Sequence, residues 1–264
     1  MIKFVHISDF HLNNTTLNDW NDFIKKPFIK LLKDNFEEYP PVIICTGDLL
    51  DKGGVDFERI EKGFNIFKQQ IIMPIIEELN IPIYHFICIP GNHDIDRCAD
   101  NKIEQLGLVQ LLLEGEKSVH QYVENLSISN PKSSKRVLAY KHFENNLYGN
   151  NNNVKLSYLG STFVLNINGF SIGVAGFNSV WNCINDADRK NGIYISESQY
   201  NQCKSDIEQC DLKIALLHHP LDWLEKESNT IQCWIRNDYD ILLCGHVHMS
   251  DTSVTTKIYG SLFI

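Results

Sequence analysis

A chain of 264 residues is long enough to bury a sizeable core, as one large domain or two small ones. Its 43% hydrophobic and 22% charged content suits a soluble globular protein, and no uncharged apolar run is long enough for a membrane span. The formal net charge of −9 argues against wholesale binding of a polyanion, because neutralising phosphates takes a surplus of Lys and Arg at the contact. It leaves room for a local basic patch or a metal-dominated site.

The N-terminus "MIKFVHISDF" lacks the basic start, apolar stretch and small-residue cleavage site of a signal peptide, so a cytoplasmic location is expected. The eight cysteines contain no C-x-x-C pair. Cys45, Cys88 and Cys244 end apolar runs, where a small hydrophobe suits a core, and all eight read as reduced thiols.

Short apolar runs bounded by turn residues recur along the chain: 2–8, 41–46, 83–90, 162–167, 170–177, 213–218 and 240–245. Most are too continuously apolar for half-exposed strands and read as strands buried on both faces. Helical patterns at 20–38 and 56–79 separate the first three. The resulting β-α-β-α-β order points to an α/β sheet with helical crossovers. Further helices are expected within 196–210 and 220–237. Asn168-Gly169, between two strand-like runs, is a strong hairpin signal and makes part of the fold antiparallel. Residues 95–155 read as a mostly helical insertion, or cap, within a single domain spanning 1–264. The chain ends on Leu262, Phe263 and Ile264 without a polar tail, which raises the expectation of a further domain after Ile264.

Polar residues follow five of these strands: Asp9 and His11 in "SDFH", Asp48 in "TGDLLDKG", Asn92, His93 and Asp94 in "PGNHD", His218 and His219 in "LHHP", and His246 and His248 in "CGHVH". In open α/β sheets the carboxyl ends of strands converge on one crevice. The set combines carboxylates, an amide oxygen and imidazoles with no thiolate, a mixture that suits first-row divalent ions such as Mn, Fe, Zn or Ni. There are too many donors for one tetrahedral ion. Two ions sharing a bridging carboxylate would use them all. Glycines at 47, 91 and 245 let the backbone turn sharply beside such ions.

The series Asp9-Phe10-His11, Gly47-Asp48, Gly91-Asn92-His93-Asp94, His218-His219-Pro220 and Gly245-His246-Val247-His248 resembles the calcineurin-like metallophosphoesterase family, its phosphodiesterase and exonuclease branches in particular. Each motif alone is weak; five in order, each after an apolar run, are specific. The resemblance implies an α/β, four-layer αββα sandwich of two mixed sheets flanked by helices, holding two divalent ions, Mn foremost. It implies that Asp9, His11 and His248 hold one ion, that Asn92, His218 and His246 hold the other, and that Asp48 bridges them. It also implies that His93 acts as the acid, with Asp94 orienting its ring. The implied activity is a metal-dependent phosphohydrolase, a phosphodiesterase acting on nucleotides or nucleic acid through a bridging hydroxide. Alternatives are a nuclease portion of a larger protein and a non-catalytic interaction module. No membrane partner is expected.

The family's H-x-P pattern selects His218 as the ligand and leaves His219 behind it or on the substrate side. Lys52 stands where phosphoprotein phosphatases of the family carry Arg. Arg97 and Asn92 are candidate substrate contacts, although Asp96 and Arg97 can equally pair with each other. Asp51 reads as a turn-fixing residue, and Lys132, Lys135, Arg136 and Lys141 either line a phosphate-binding rim or, as is commoner, form a solvated basic face. Trp181, with Asn178 and Ser179, either walls the pocket or packs in the core.

Overall fold

The computed structural model describes residues 2–36, 39–124, 126–127, 129–132, 134–184, 192–225 and 228–247. The N-terminal part alternates strand and helix. Strand β1 (Phe4–Ile7) leads to a helical run that begins as α1 (Asn14–Asp19), passes through a π-helical turn (Trp20–Ile24) and ends as α2 (Lys25–Phe36). This run starts earlier than the expected residue 20 because Asn13 caps it. The Asn13 side chain accepts from the amides of Thr15 at 2.9 Å and Thr16 at 3.0 Å, and Thr16 returns a bond to the Asn13 amide. After β2 (Val42–Cys45), a second interrupted run comprises α3 (Ile60–Phe67), a π turn and α4 (Met73–Leu79). Strand β3 (Phe86–Cys88) follows.

β1, β2 and β3 form a three-stranded, wholly parallel sheet with β2 in the middle. Every residue of β2 is fully buried, as an apolar run without alternation requires. A five-stranded mixed sheet has the order β4 (Val154–Leu156), β5 (Gly160–Ile167), β6 (Phe170–Phe177), β7 (Leu212–Leu217) and β8 (Ile241–Cys244). β5 and β6 are the expected hairpin. Ile167 pairs with Phe170 across Asn168 and Gly169, whose φ values of 54° and 79° are the positive pair that a two-residue type I′ turn needs.

The core follows the two-residue period of the strands. Ile214 and Leu216 of β7 face the main cluster shared with β1–β3, whereas Ala215 and Leu217 face a second cluster under α8 (Glu197–Ile207) and α9 (Asn229–Asp238). Helices thus cover the outer side of each sheet, giving the expected four layers. Mixed pairing is confined to the five-stranded sheet.

The 95–155 segment divides. α5 (Lys102–Leu112) and α6 (Glu116–Val123) build a third, smaller cluster with Ile95, Trp181 and Tyr194. α7 (Leu138–Tyr148) belongs to the main body. Its Tyr140 and Tyr148 hydroxyls donate to the carbonyls of Cys88 and Phe86 at 2.9 and 2.6 Å, closing the free edge of β3. The expected solvated basic face is also corrected here. Arg136 and Lys141 are buried and paired, Arg136 with Asp100 at 3.0 Å and Lys141 with Glu144. Trp181 is fully buried and donates to the Tyr194 carbonyl at 3.0 Å, a core role. Among the described residues no helix is long and apolar enough to cross a membrane.

Candidate metal centre

The loops after β1, β2, β3, β7 and β8 meet at one end of the two sheets and are stitched together by hydrogen bonds. The Asp9 amide donates to the Gly47 carbonyl at 3.1 Å and the His11 amide to the Asp48 carbonyl at 2.9 Å. His93 N–H donates to Asp48 Oδ1 at 2.8 Å, Gly245 N–H to the His218 carbonyl at 3.0 Å, and His246 N–H to Asp9 Oδ1 at 3.2 Å. Four candidate ligands lie at left-handed φ: Asp9 at 56°, His11 at 44°, Asp48 at 52° and His246 at 68°. Such a conformation costs about 1–3 kcal/mol per residue and persists only where the surroundings enforce it. Gly47, at φ 98°, leaves no room for a side chain, since a Cβ there would lie 2.6 Å from His218 Nδ1.

Three donor atoms converge from distant parts of the chain. Asn92 Oδ1 is 2.9 Å from His218 Nε2 and 3.1 Å from His246 Nδ1, and the two nitrogens are 3.0 Å apart. His218 Nδ1 lies 2.9 Å from the Thr46 carbonyl. A carbonyl only accepts, so that nitrogen carries a proton, and in the neutral imidazole Nε2 then presents a lone pair. Asn92 Oδ1 likewise presents a lone pair. With both imidazoles neutral, at most one proton, on His246, can be shared among three electron-rich atoms, an arrangement that a cation resolves. Edges of about 3 Å are those of an octahedral arrangement with bonds of about 2.1 Å.

On the other side lie Asp9 and His11. His11 Nε2 is 4.0 Å from Asp9 Oδ1 and 3.6 Å from Asp48 Oδ2. The second oxygen of Asp48, Oδ1, is 3.5 Å from His218 Nε2. Asp48 therefore stands between the two groups with one oxygen toward each, and it is buried. The clusters Asp9–Asp48–His218 and His11–Asp48–His93 each keep their candidate ligand atoms within 4.8 Å. His248 lies outside the described residues.

His93 Nδ1 has two partners: the Lys52 amide donates to it at 3.1 Å, and Asp51 Oδ1 lies 3.2 Å away. Accepting from Lys52 takes a lone pair on Nδ1, and donating to Asp51 takes a proton on it. Asp51, expected only to fix a turn, thus faces the site, with His11 Nδ1 also 4.0 Å from it. Asp94, expected to orient the His93 ring, accepts from the amides of Leu49 at 3.0 Å, Leu50 at 2.8 Å and Gly91 at 2.9 Å. Those bonds pin the Asp48 loop to the Asn92 loop. Burial, and then the charge of Asp48, push the Asp94 carboxyl well above the usual range against the pull of these three amides.

His219 is fully buried, as the first of its two expected positions, behind His218, requires. Its Nδ1 lies 2.9 Å from the Ser179 hydroxyl, and burial, followed by the neighbouring His218 and His246, holds its pKa well below the ordinary histidine value. Arg97 is half-buried on the loop after Asp94. Its neighbour Asp96 accepts from the Cys98 amide at 2.9 Å, a local turn bond. Thr46 and Ser179 carry supporting roles that their sequence positions do not signal. Thr46 fixes His218 through its carbonyl, and its hydroxyl lies 2.9 Å from His6 Nε2. Asp51 had one available signal, since it follows Asp48 by three residues in the same tight turn.

Residues 2–250 match the family profile described as calcineurin-like phosphoesterase. A comparison with curated proteins gives no match. Among solved structures, the NAD nucleotidase of Haemophilus influenzae is similar at 14% identity with a TM-score of 0.45, the match covering 96% of this chain and 39% of that one.

Proposed function

Because the chain belongs to the calcineurin-like phosphoesterase family, whose members hydrolyse phosphoric esters, we propose that it is a dinuclear metal phosphodiesterase acting on nucleotides or nucleic acid. The observation that carries this reading is the convergence of Asn92 Oδ1, His218 Nε2 and His246 Nδ1, with Asp48 turned toward both sides. Asp9, His11 and Asp48, with His248, would hold one ion; Asp48, Asn92, His218 and His246 would hold the other. Mn is the favoured ion. When bound, two such ions acidify water toward neutrality and offset the charge that develops in phosphoryl transfer.

The remaining steps belong to the chain. The Asp48 carboxylate fixes the separation of the two sides while accepting the His93 amide. His93 passes a proton to the departing ester oxygen, and Asp51 steadies the protonated ring from 3.2 Å. Asp94 holds the two loops carrying these groups in register. Lys52, in place of an arginine, supports a diester rather than a phosphoprotein substrate.

The test is hydrolysis by the Mn-loaded protein of bis-p-nitrophenyl phosphate and of nucleotide and nucleic-acid substrates. Turnover of at least one diester is expected, and inactivity toward all of them would sink the proposal. Steep salt dependence of oligonucleotide binding would favour a nuclease. Fewer than one transition ion per chain after loading would favour a non-catalytic module.

A further inference from the structure

His246 is the most exposed of the three residues that form the lone-pair triangle, since Asn92 and His218 are buried and His246 only half so. Its backbone is set by the bond from its N–H to Asp9, but its ring needs separate support to keep Nδ1 aimed at Asn92 and His218. Three rings surround it, at centroid distances of 4.9 Å for His218, 4.8 Å for His219 and 5.0 Å for Trp223. All three come from the single segment 218–223, in which Pro220 is followed by a short 3₁₀ turn, Leu221–Trp223.

The three walls are unequal. His218 and His219 are fully buried and lie on the inner side. Trp223 is half-buried, stands edge-to-face against His246 at an interplanar angle of 81°, and packs its remaining surface on the second core cluster beside the buried Leu221. The next residue, Val247, is 42% exposed, so among the described residues it is Trp223 that stands on the outer side of the ring. An indole here removes the solvent-side rotamers of the imidazole, and its own position is set by a turn whose Trp223 amide donates to the Pro220 carbonyl at 2.9 Å.

Resting on the metal-centre reading above, we propose that Trp223 is a positioning residue for the imidazole-rich half of the site: it holds the His246 ring in its ligating orientation and thereby sets the affinity of that half alone. Asp9, His11 and Asp48 have no need of it. The effect is therefore selective for one half of the site over the other.

The experiment measures metal content of the full chain by elemental analysis across a Mn titration. Electron paramagnetic resonance in parallel distinguishes a coupled ion pair from a single isolated ion, and thermal melting monitors the fold. Trp223→Ala is expected to raise the Mn concentration needed for the second ion by about 10- to 100-fold, the usual penalty for removing a group that orients a ligand, while the first ion binds as before. Trp223→Leu retains apolar bulk against the core and is expected to show the same selective loss with an unchanged melting temperature. Trp223→Phe keeps an edge-to-face ring and should stay within about threefold of the parent. Filling of the second site by the Leu variant at parental Mn concentrations, or equal weakening of both sites in a folded variant, would overturn the proposal. A parent protein that takes up fewer than two ions would overturn the metal-centre reading instead.

Discussion

The two sides of the site differ in what holds their donors in place. On the carboxylate-rich side, Asp9, Asp48 and Asp51 bring negative charge, and Asp9 and His11 keep side-chain exposures of 16% and 22%. A cation is attracted there by charge even with imperfect geometry. On the imidazole-rich side, apart from the shared Asp48, the groups are an amide and two imidazoles, Asn92, His218 and His246, with no carboxylate among them. Two of these are buried, and their atoms are already spaced at 2.9–3.1 Å. That side depends on packing and tautomer control rather than on charge. One half of the centre is expected to be forgiving and the other exacting.

The most severe way to break this contrast is to remove the residue common to both halves. Asp48→Asn should abolish the second ion, weaken the first and lower diester hydrolysis by about a thousandfold or more, in line with the several kcal/mol that metal ions contribute to a charged transition state. Metal analysis and steady-state rates check this together. His93→Ala should cost about a hundredfold or more in kcat while both ions stay bound; metal loss equal to that of Asp48→Asn would contradict the division of roles. The contrast is sharpened by His218→Ala against His11→Ala. The first should leave one tightly held ion, whereas the second should weaken uptake gradually, because Asp9 and Asp48 still attract a cation. Indistinguishable titration curves would erase the difference between the halves. Smallest of all, Asp51→Asn should keep both ions and KM and lower kcat by about tenfold, the scale on which a group that orients a catalytic histidine acts.

Much of this was legible in the linear chain because it depends on near neighbours. The Asn168-Gly169 hairpin formed as its turn chemistry requires, and the continuous apolar run at 42–45 became a fully buried central strand. The helix begins ahead of its apolar pattern because its cap, Asn13 with Thr16, lies directly after the Asp9–His11 motif, where the polar residues read as part of the loop. The burial of Arg136 and Lys141 is hidden in the sequence for a different reason. Arg136 pairs with Asp100, 36 residues away, so its compensating charge is distant in the sequence; Lys141 pairs with Glu144 at an i,i+3 spacing that is equally at home on a solvated helix face, so the charge pattern does not reveal burial. Of the two positions open to His219 in the sequence, burial fits the one behind His218, and Asp51 lies 3.2 Å from His93 Nδ1; adjacency to a motif residue does not settle which way a side chain faces.

The order and chemical identity of the donors, the buried strands that deliver them and the tight hairpin were determined by the sequence itself, because residue type and a two-residue period act over short range. Tertiary structure alone decided which nitrogen of His218 faces Asn92, 126 positions away, that Asp48 turns one oxygen to each half, that Thr46 sets a tautomer and that Trp223 stands against His246. Those relations depend on how two sheets pack and how five loops lock together, and a spacing along the chain carries no measure of distance between strands that meet only once the core is buried.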